Sequence, residues 1–125
     1  MPTGYMVPPP PIVAPNATVE ANAASASLTV ANAGKIQTNT GAGAGIVLTL
    51  PAVATVAGCS FKIQVTAAQT VTLTPATGEK VFVGGSGVAS KYALIAGVIG
   101  NFVDLYCDGV QYLVVNYSGV VTKEA

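Results

Sequence analysis

The chain has no histidine, no arginine and no tryptophan, and its 125 residues carry only five lysines and five acidic side chains. Each absence closes off a class of function. Without His, the usual general base is missing and neither a Ser-His nor a Cys-His nucleophile pair can be built. Without Arg, and with a formal net charge of zero, the chain offers phosphates no electrostatic footprint, so no nucleic-acid partner is expected. Two cysteines, Cys59 and Cys107, cannot complete a zinc site without help from scarce carboxylates. The nearest carboxylates in sequence, Asp104 and Asp108, would stand about 13 Å apart on a strand. Glycosidase pairs need roughly 5 to 9.5 Å. The chain therefore reads as a non-enzyme that uses no cofactor and no metal.

The scarcity of charge also bears on the surface. A compact protein of this length exposes roughly 6,000 Å², which leaves about 600 Å² for each charge. Soluble surfaces are about a quarter to a third charged, and apolar patches beyond a few hundred Å² mark interaction sites. The composition predicts a subunit of an assembly.

Targeting and membrane signals are equally sparse. The first six residues lack the basic and apolar regions of a secretory signal. The uncharged stretch that begins at Ile36 is interrupted by Lys62 at its end, and before that by Gly41, Gly43, Gly45 and Pro51, so it falls short of the roughly 18 to 20 apolar residues of a spanning helix. No membrane partner is expected. Cys59 and Cys107 read either as small buried apolar residues or, in an oxidising compartment, as a disulfide. The glycine runs around Gly43 and Gly85 lack the strand-to-helix context of a dinucleotide loop and the Gly-Lys-Ser/Thr order of a P-loop, and read as structural loops.

What the sequence does contain is proline at one end and strand patterning over the rest. Residues 1–26 hold six of the eight prolines, including Pro8, Pro9, Pro10 and Pro11, followed by an Ala, Asn and Ser tract. Consecutive prolines favour an extended polyproline II rod, so this span is expected to be an N-terminal arm. From residue 27 to 125 the pattern predicts one β-domain. Ile46, Leu48 and Leu50 alternate with Val47 and Thr49 before Pro51; Phe61, Ile63 and Val65 alternate with polar residues; Val71 and Leu73 alternate with threonines before Pro75; Val81 and Val83 follow a turn at Gly78. Only single helical turns are conceivable, near residues 21–26 and 89–96.

Asp108 and Gly109 divide two such runs and predict a two-residue hairpin turn. That turn would set Cys107 against Val110, Leu105 against Tyr112 and Val103 against Val114, all facing the core. The opposite face would carry Phe102, Asp104, Tyr106, Gln111, Leu113 and Val115, too apolar for open solvent and so a second contact surface. About eight short strands at this spacing predict an all-β, β-sandwich or jelly-roll-like single domain.

Several of these signals together resemble a known group. They are residues 38–42, 48–52, 57–58 with Phe61, 71–75 with Gly78 and Glu79, and 103–105 with Asp108 and Gly109. Over residues 34–117 the chain resembles small β-domains of tailed-bacteriophage virions, in particular head decoration, or cement, proteins. The resemblance implies a non-enzymatic protein on the outside of the phage head, made in the host cytoplasm, a homotrimer that binds the major capsid protein at shell subunit junctions. The arm would then clamp neighbouring subunits through Tyr5, Val7, Pro8, Pro9, Pro10, Pro11, Ile12 and Val13. Two other readings stay open: a tail or fibre structural module, and a carbohydrate-binding β-sandwich.

Overall fold

In the computed structural model, which describes residues 18–124, the chain is all-β. The first six strands are β1 (Val19–Ala21), β2 (Ala26–Ser27), β3 (Ile36–Thr38), β4 (Ile46–Thr49), β5 (Ser60–Gln64) and β6 (Val71–Thr74). Five more follow: β7 (Val81–Phe82), β8 (Ala93–Ile95), β9 (Phe102–Cys107), β10 (Tyr112–Ser118) and β11 (Val121–Lys123). They form a six-stranded sheet, β1-β3-β5-β9-β10-β7, and a five-stranded sheet, β11-β8-β6-β4-β2.

The chain begins as a coil that visits the two sheets in turn. β1, β3 and β5 stack in parallel in one sheet, while β2, β4 and β6 stack in parallel in the other. The direction then reverses. β8 pairs antiparallel with β6, β9 with β5, β10 with β9 and β11 with β8, and β7 closes the far edge parallel to β10. The expected two-sheet, all-β domain is present. Its parallel rungs differ from the antiparallel strands of a jelly roll.

Period-two alternation explains which side chains meet between the sheets. Ile46 and Leu48, Phe61 and Ile63, Val71 and Leu73, Ala93 and Ile95, and Val103, Leu105 and Cys107 all point inward and are buried. Each large aliphatic or aromatic residue in this set contributes about 1.5–3 kcal/mol by leaving water. Pro51 and Pro75 follow the strands they were expected to end.

Buried amides join the rungs at one corner. Asn39, fully buried just after β3, donates through Nδ2 to the carbonyls of Ala67 and Gln69 at 3.1 and 3.0 Å. Its Oδ1 accepts from the backbone N–H groups of Thr66 and Ala67 at 2.8 and 2.9 Å. One side chain thus satisfies the turn of the next rung. One rung earlier, Asn22 donates to the Thr38 carbonyl and to Gln37 Oε1, both at 3.0 Å.

Three expectations are corrected. First, β1 and the first residue of β2 lie inside the span expected to be arm, so the domain begins by Val19 and not at residue 27. The Ala, Asn and Ser tract lacks apolar alternation, yet its two ends pair with β3 and β4. Second, of the segments expected to allow helical turns, 21–26 runs from the end of β1 to the start of β2 and 89–96 contains β8; the short 3₁₀ turns lie at Val30–Asn32 and Val53–Thr55. Third, the final hairpin is shifted by two residues, with Tyr112 opposite Cys107 and Val114 opposite Leu105.

The cause of that shift is the Asp108 side chain. Its Oδ1 accepts from the N–H groups of Val110 and Gln111, each at 2.8 Å, while the Asp108 N–H donates to the Gln111 carbonyl at 3.2 Å. This turn needs four residues, with Gly109 at φ +91°. Because the shift is even, Val103, Leu105, Cys107 and Tyr112 keep their inward orientation, but Val110 is thrown out to 71 % exposure.

Candidate interaction surface

The outer face of the six-stranded sheet gathers the side chains left over from the core. Register places Lys62 beside Asp104 across β5 and β9, and sets Ser60, Tyr106, Leu113 and Phe82 in one row across β5, β9, β10 and β7. Lys62 also lies over the Phe102 ring, its Nζ 4.9 Å from the centroid, where the ring face attracts the ammonium. Most of the second contact surface expected from sequence is therefore here: Phe102, Asp104, Tyr106 and Leu113 share this face, whereas Gln111 sits in the turn.

Val115 reaches the same region for a different reason. The β9–β10 register slips between Val114 and Asn116, leaving Val115 as the extra residue of a bulge. It forms part of the rim of a shallow cavity of about 320 Å³ whose other walls come from Gly34, Lys35, Ser60, Phe61, Lys62, Asp104 and Leu105. Its lining thus combines two lysines and one aspartate with apolar residues.

Lys35 is fixed by the polar end of the coil. Its Nζ lies 3.4 Å from Glu20 Oε2, and Glu20 Oε1 accepts from Gln37 Nε2 at 2.6 Å and from Asn32 Nδ2 at 2.7 Å. The hydrogen bond from Gln37, then that from Asn32, holds the Glu20 carboxyl below its ordinary value, with Lys35 acting in the same direction. Glu20, Asn32, Lys35 and Gln37 were not singled out from sequence. The signal was nevertheless there: Val19-Glu20-Ala21-Asn22 recurs one rung later as Ile36-Gln37-Thr38-Asn39.

A second apolar region lies where the β8–β9 and β10–β11 connections meet. Val98, Ile99 and Val120 are each more than 60 % exposed. The Ala96 N–H donates to the Val120 carbonyl at 3.0 Å and ties the two connections together, while Asn101 Nδ2 donates to the Ala96 carbonyl at 3.1 Å within the first.

The arm residues expected to clamp a partner, Tyr5, Val7, Pro8, Pro9, Pro10, Pro11, Ile12 and Val13, lie outside the described residues. Among the described residues, no group of three or more His, Cys, Asp or Glu side chains is placed to hold a metal ion, and no helix is long and apolar enough to cross a membrane. No protein-family model matches the chain, and no curated protein matches it.

Proposed function

We propose that this chain is a non-enzymatic structural protein of a tailed-phage virion, a head decoration protein that binds the major capsid protein at junctions of the outer shell. The observation that carries this reading is the exposed apolar surface on a domain with so few charges. Tyr106, Val115 and Tyr117 stand out on one sheet, and Val98, Ile99 and Val120 at the loop tip. A free monomer gains nothing from such surface, whereas an assembly buries it. In this reading the chain forms a homotrimer on the head exterior, and the arm reaches from the domain to clamp a neighbouring subunit.

A tail or fibre module is the second reading, favoured by the parallel coil. β1 and β2 are edge strands of their two sheets at the same end of the stack, which suits end-to-end association along a filament. Immunogold labelling of purified particles separates the two. Label over the head is the expected result, label confined to the tail supports the fibre module, and particles free of label reject both.

A further inference from the structure

Cys59 and Cys107 meet where β5 enters its pairing with β9. The ladder sets Ser60 against Tyr106 and Phe61 against Leu105, and just beyond its last pair Gly58 and Cys59 together face Cys107. The backbone carries the pairing to that point: the Cys107 N–H donates to the Cys59 carbonyl at 2.9 Å, and the Gly58 N–H to the Cys107 carbonyl at 2.7 Å. Both side chains belong to the core side of the sheet. Cys107 is fully buried, and Cys59 is half-buried against the same apolar cluster, both as free thiols. Antiparallel partners have Cα atoms about 4.5–5.5 Å apart, so Cys59 and Cys107, joined by a backbone hydrogen bond at the end of this ladder, are in reach of the roughly 4.4–6.8 Å that a disulfide spans.

We propose that Cys59 and Cys107 form a reversible cross-strand disulfide, closed by a small disulfide oxidant such as glutathione disulfide. Cys59 has the solvent access and reacts first. Its thiolate attacks one sulfur of glutathione disulfide, a bond forms between Cys59 Sγ and that sulfur, and the other glutathione leaves as a thiolate that takes up a proton. Cys107 then gives its proton to solvent and attacks Cys59 Sγ, forming the Sγ–Sγ bond and expelling the second glutathione thiolate. Two cysteine thiols are oxidised while one glutathione disulfide is reduced to two thiols.

The second step sets the rate. The Cys107 thiol donates to the Val53 carbonyl at 3.5 Å. Burial raises its pKa, and Asp108, Glu79 and Cys59 act in the same direction against a lowering by the Gly109 backbone. Opposed Cβ atoms stand about 4.5–5.5 Å apart and must close to about 3.8 Å, so the two strands draw together and the bond remains easy to reduce. The closed form ties the two ends of the segment that runs through β6, β7 and β8. This inference is independent of the partner the protein binds.

The test uses the reduced full-length protein in a buffer containing glutathione disulfide. The expected product is a chain whose mass is lower by two hydrogens, a non-reduced tryptic digest that joins the Cys59 and Cys107 peptides, and a melting temperature raised by about 5–10 °C. Dithiothreitol should reverse all three without denaturant. Cys107→Ala should stop at a glutathione adduct on Cys59, and Cys59→Ser, at the more exposed position, should give no product, which keeps the test decisive if the buried variant fails to fold. An unchanged mass, a wild-type adduct that never resolves, or disulfides between chains would overturn the proposal.

Discussion

The Tyr112 hydroxyl crosses from one sheet to the other and donates to the Pro51 carbonyl at 2.5 Å. Tyr112 is fully buried on β10, packed edge-on against Phe61 with ring centroids 6.4 Å apart, and Pro51 follows β4. The bond gives a buried hydroxyl its partner. Burial, the largest cause, also pushes the phenol well above its ordinary value. Tyr112→Phe should keep the packing and cost about 1–2 kcal/mol, by leaving the carbonyl without its donor. Urea unfolding of the two proteins measures this directly, and an unchanged midpoint would place the stability elsewhere.

Asn39→Ala should be the more damaging change. It strands the N–H groups of Thr66 and Ala67 and the carbonyls of Ala67 and Gln69 together, at a fully buried position. The expected loss is about 3 kcal/mol or more. Amide exchange should localise it, with protection falling first around residues 65–70.

Gly109→Val should destabilise the domain by about 2–3 kcal/mol, because a β-branched residue is strained at positive φ. A Cβ there would also lie 3.2 Å from Ala57 Cβ. Gly109→Asn, which tolerates this backbone region, should cost less. Equal melting temperatures for the two variants would disprove the conformational argument.

Acid should loosen both the polar end of the coil and the final turn. The Glu20 and Asp108 carboxyls are held below their ordinary values of 4.5 and 3.8, Glu20 chiefly by Gln37 and Asp108 chiefly by the Gln111 N–H. Lowered folded-state values mean that the stabilisation is present above the unfolded values and is lost as pH falls through the folded ones. Melting temperature should therefore fall as the pH drops below about 4.5, and Glu20→Gln should show a shallower fall over the same window. A parallel profile in the variant would remove Glu20 from this account.

Two truncations should behave differently. Deleting residues 1–17 leaves every described strand of both sheets, so the melting temperature should hold, while binding to the proposed shell partner weakens through loss of a linked contact. Deleting residues 1–26 removes β1 and half of β2, which uncovers β3 and the buried Gln37, and should lower stability as well. Equal shell occupancy of full-length protein and the shorter deletion would show that the arm is not the clamp.

The sequence by itself determined the β class, most of the core and several strand ends. Alternation picks out Ile46, Leu48, Phe61, Ile63, Val71 and Leu73 as inward-facing, because a strand turns successive side chains to opposite sides whatever it pairs with. Pro51 and Pro75 mark ends because they have no N–H to donate. The same alternation is blind to partner and direction, so the parallel stacking of β1, β3 and β5 was decided only by the tertiary structure. It is equally blind to a slip of two residues, and here the bonds made by Asp108 chose Tyr112 over Val110 as the partner of Cys107. β1 and β2 show no apolar alternation, and only the likeness of residues 19–22 to residues 36–39 marks β1 in the sequence. Glu20 on β1 is held by Gln37, Asn32 and Lys35, partners 12 to 17 residues away that only the folded chain brings to its carboxylate.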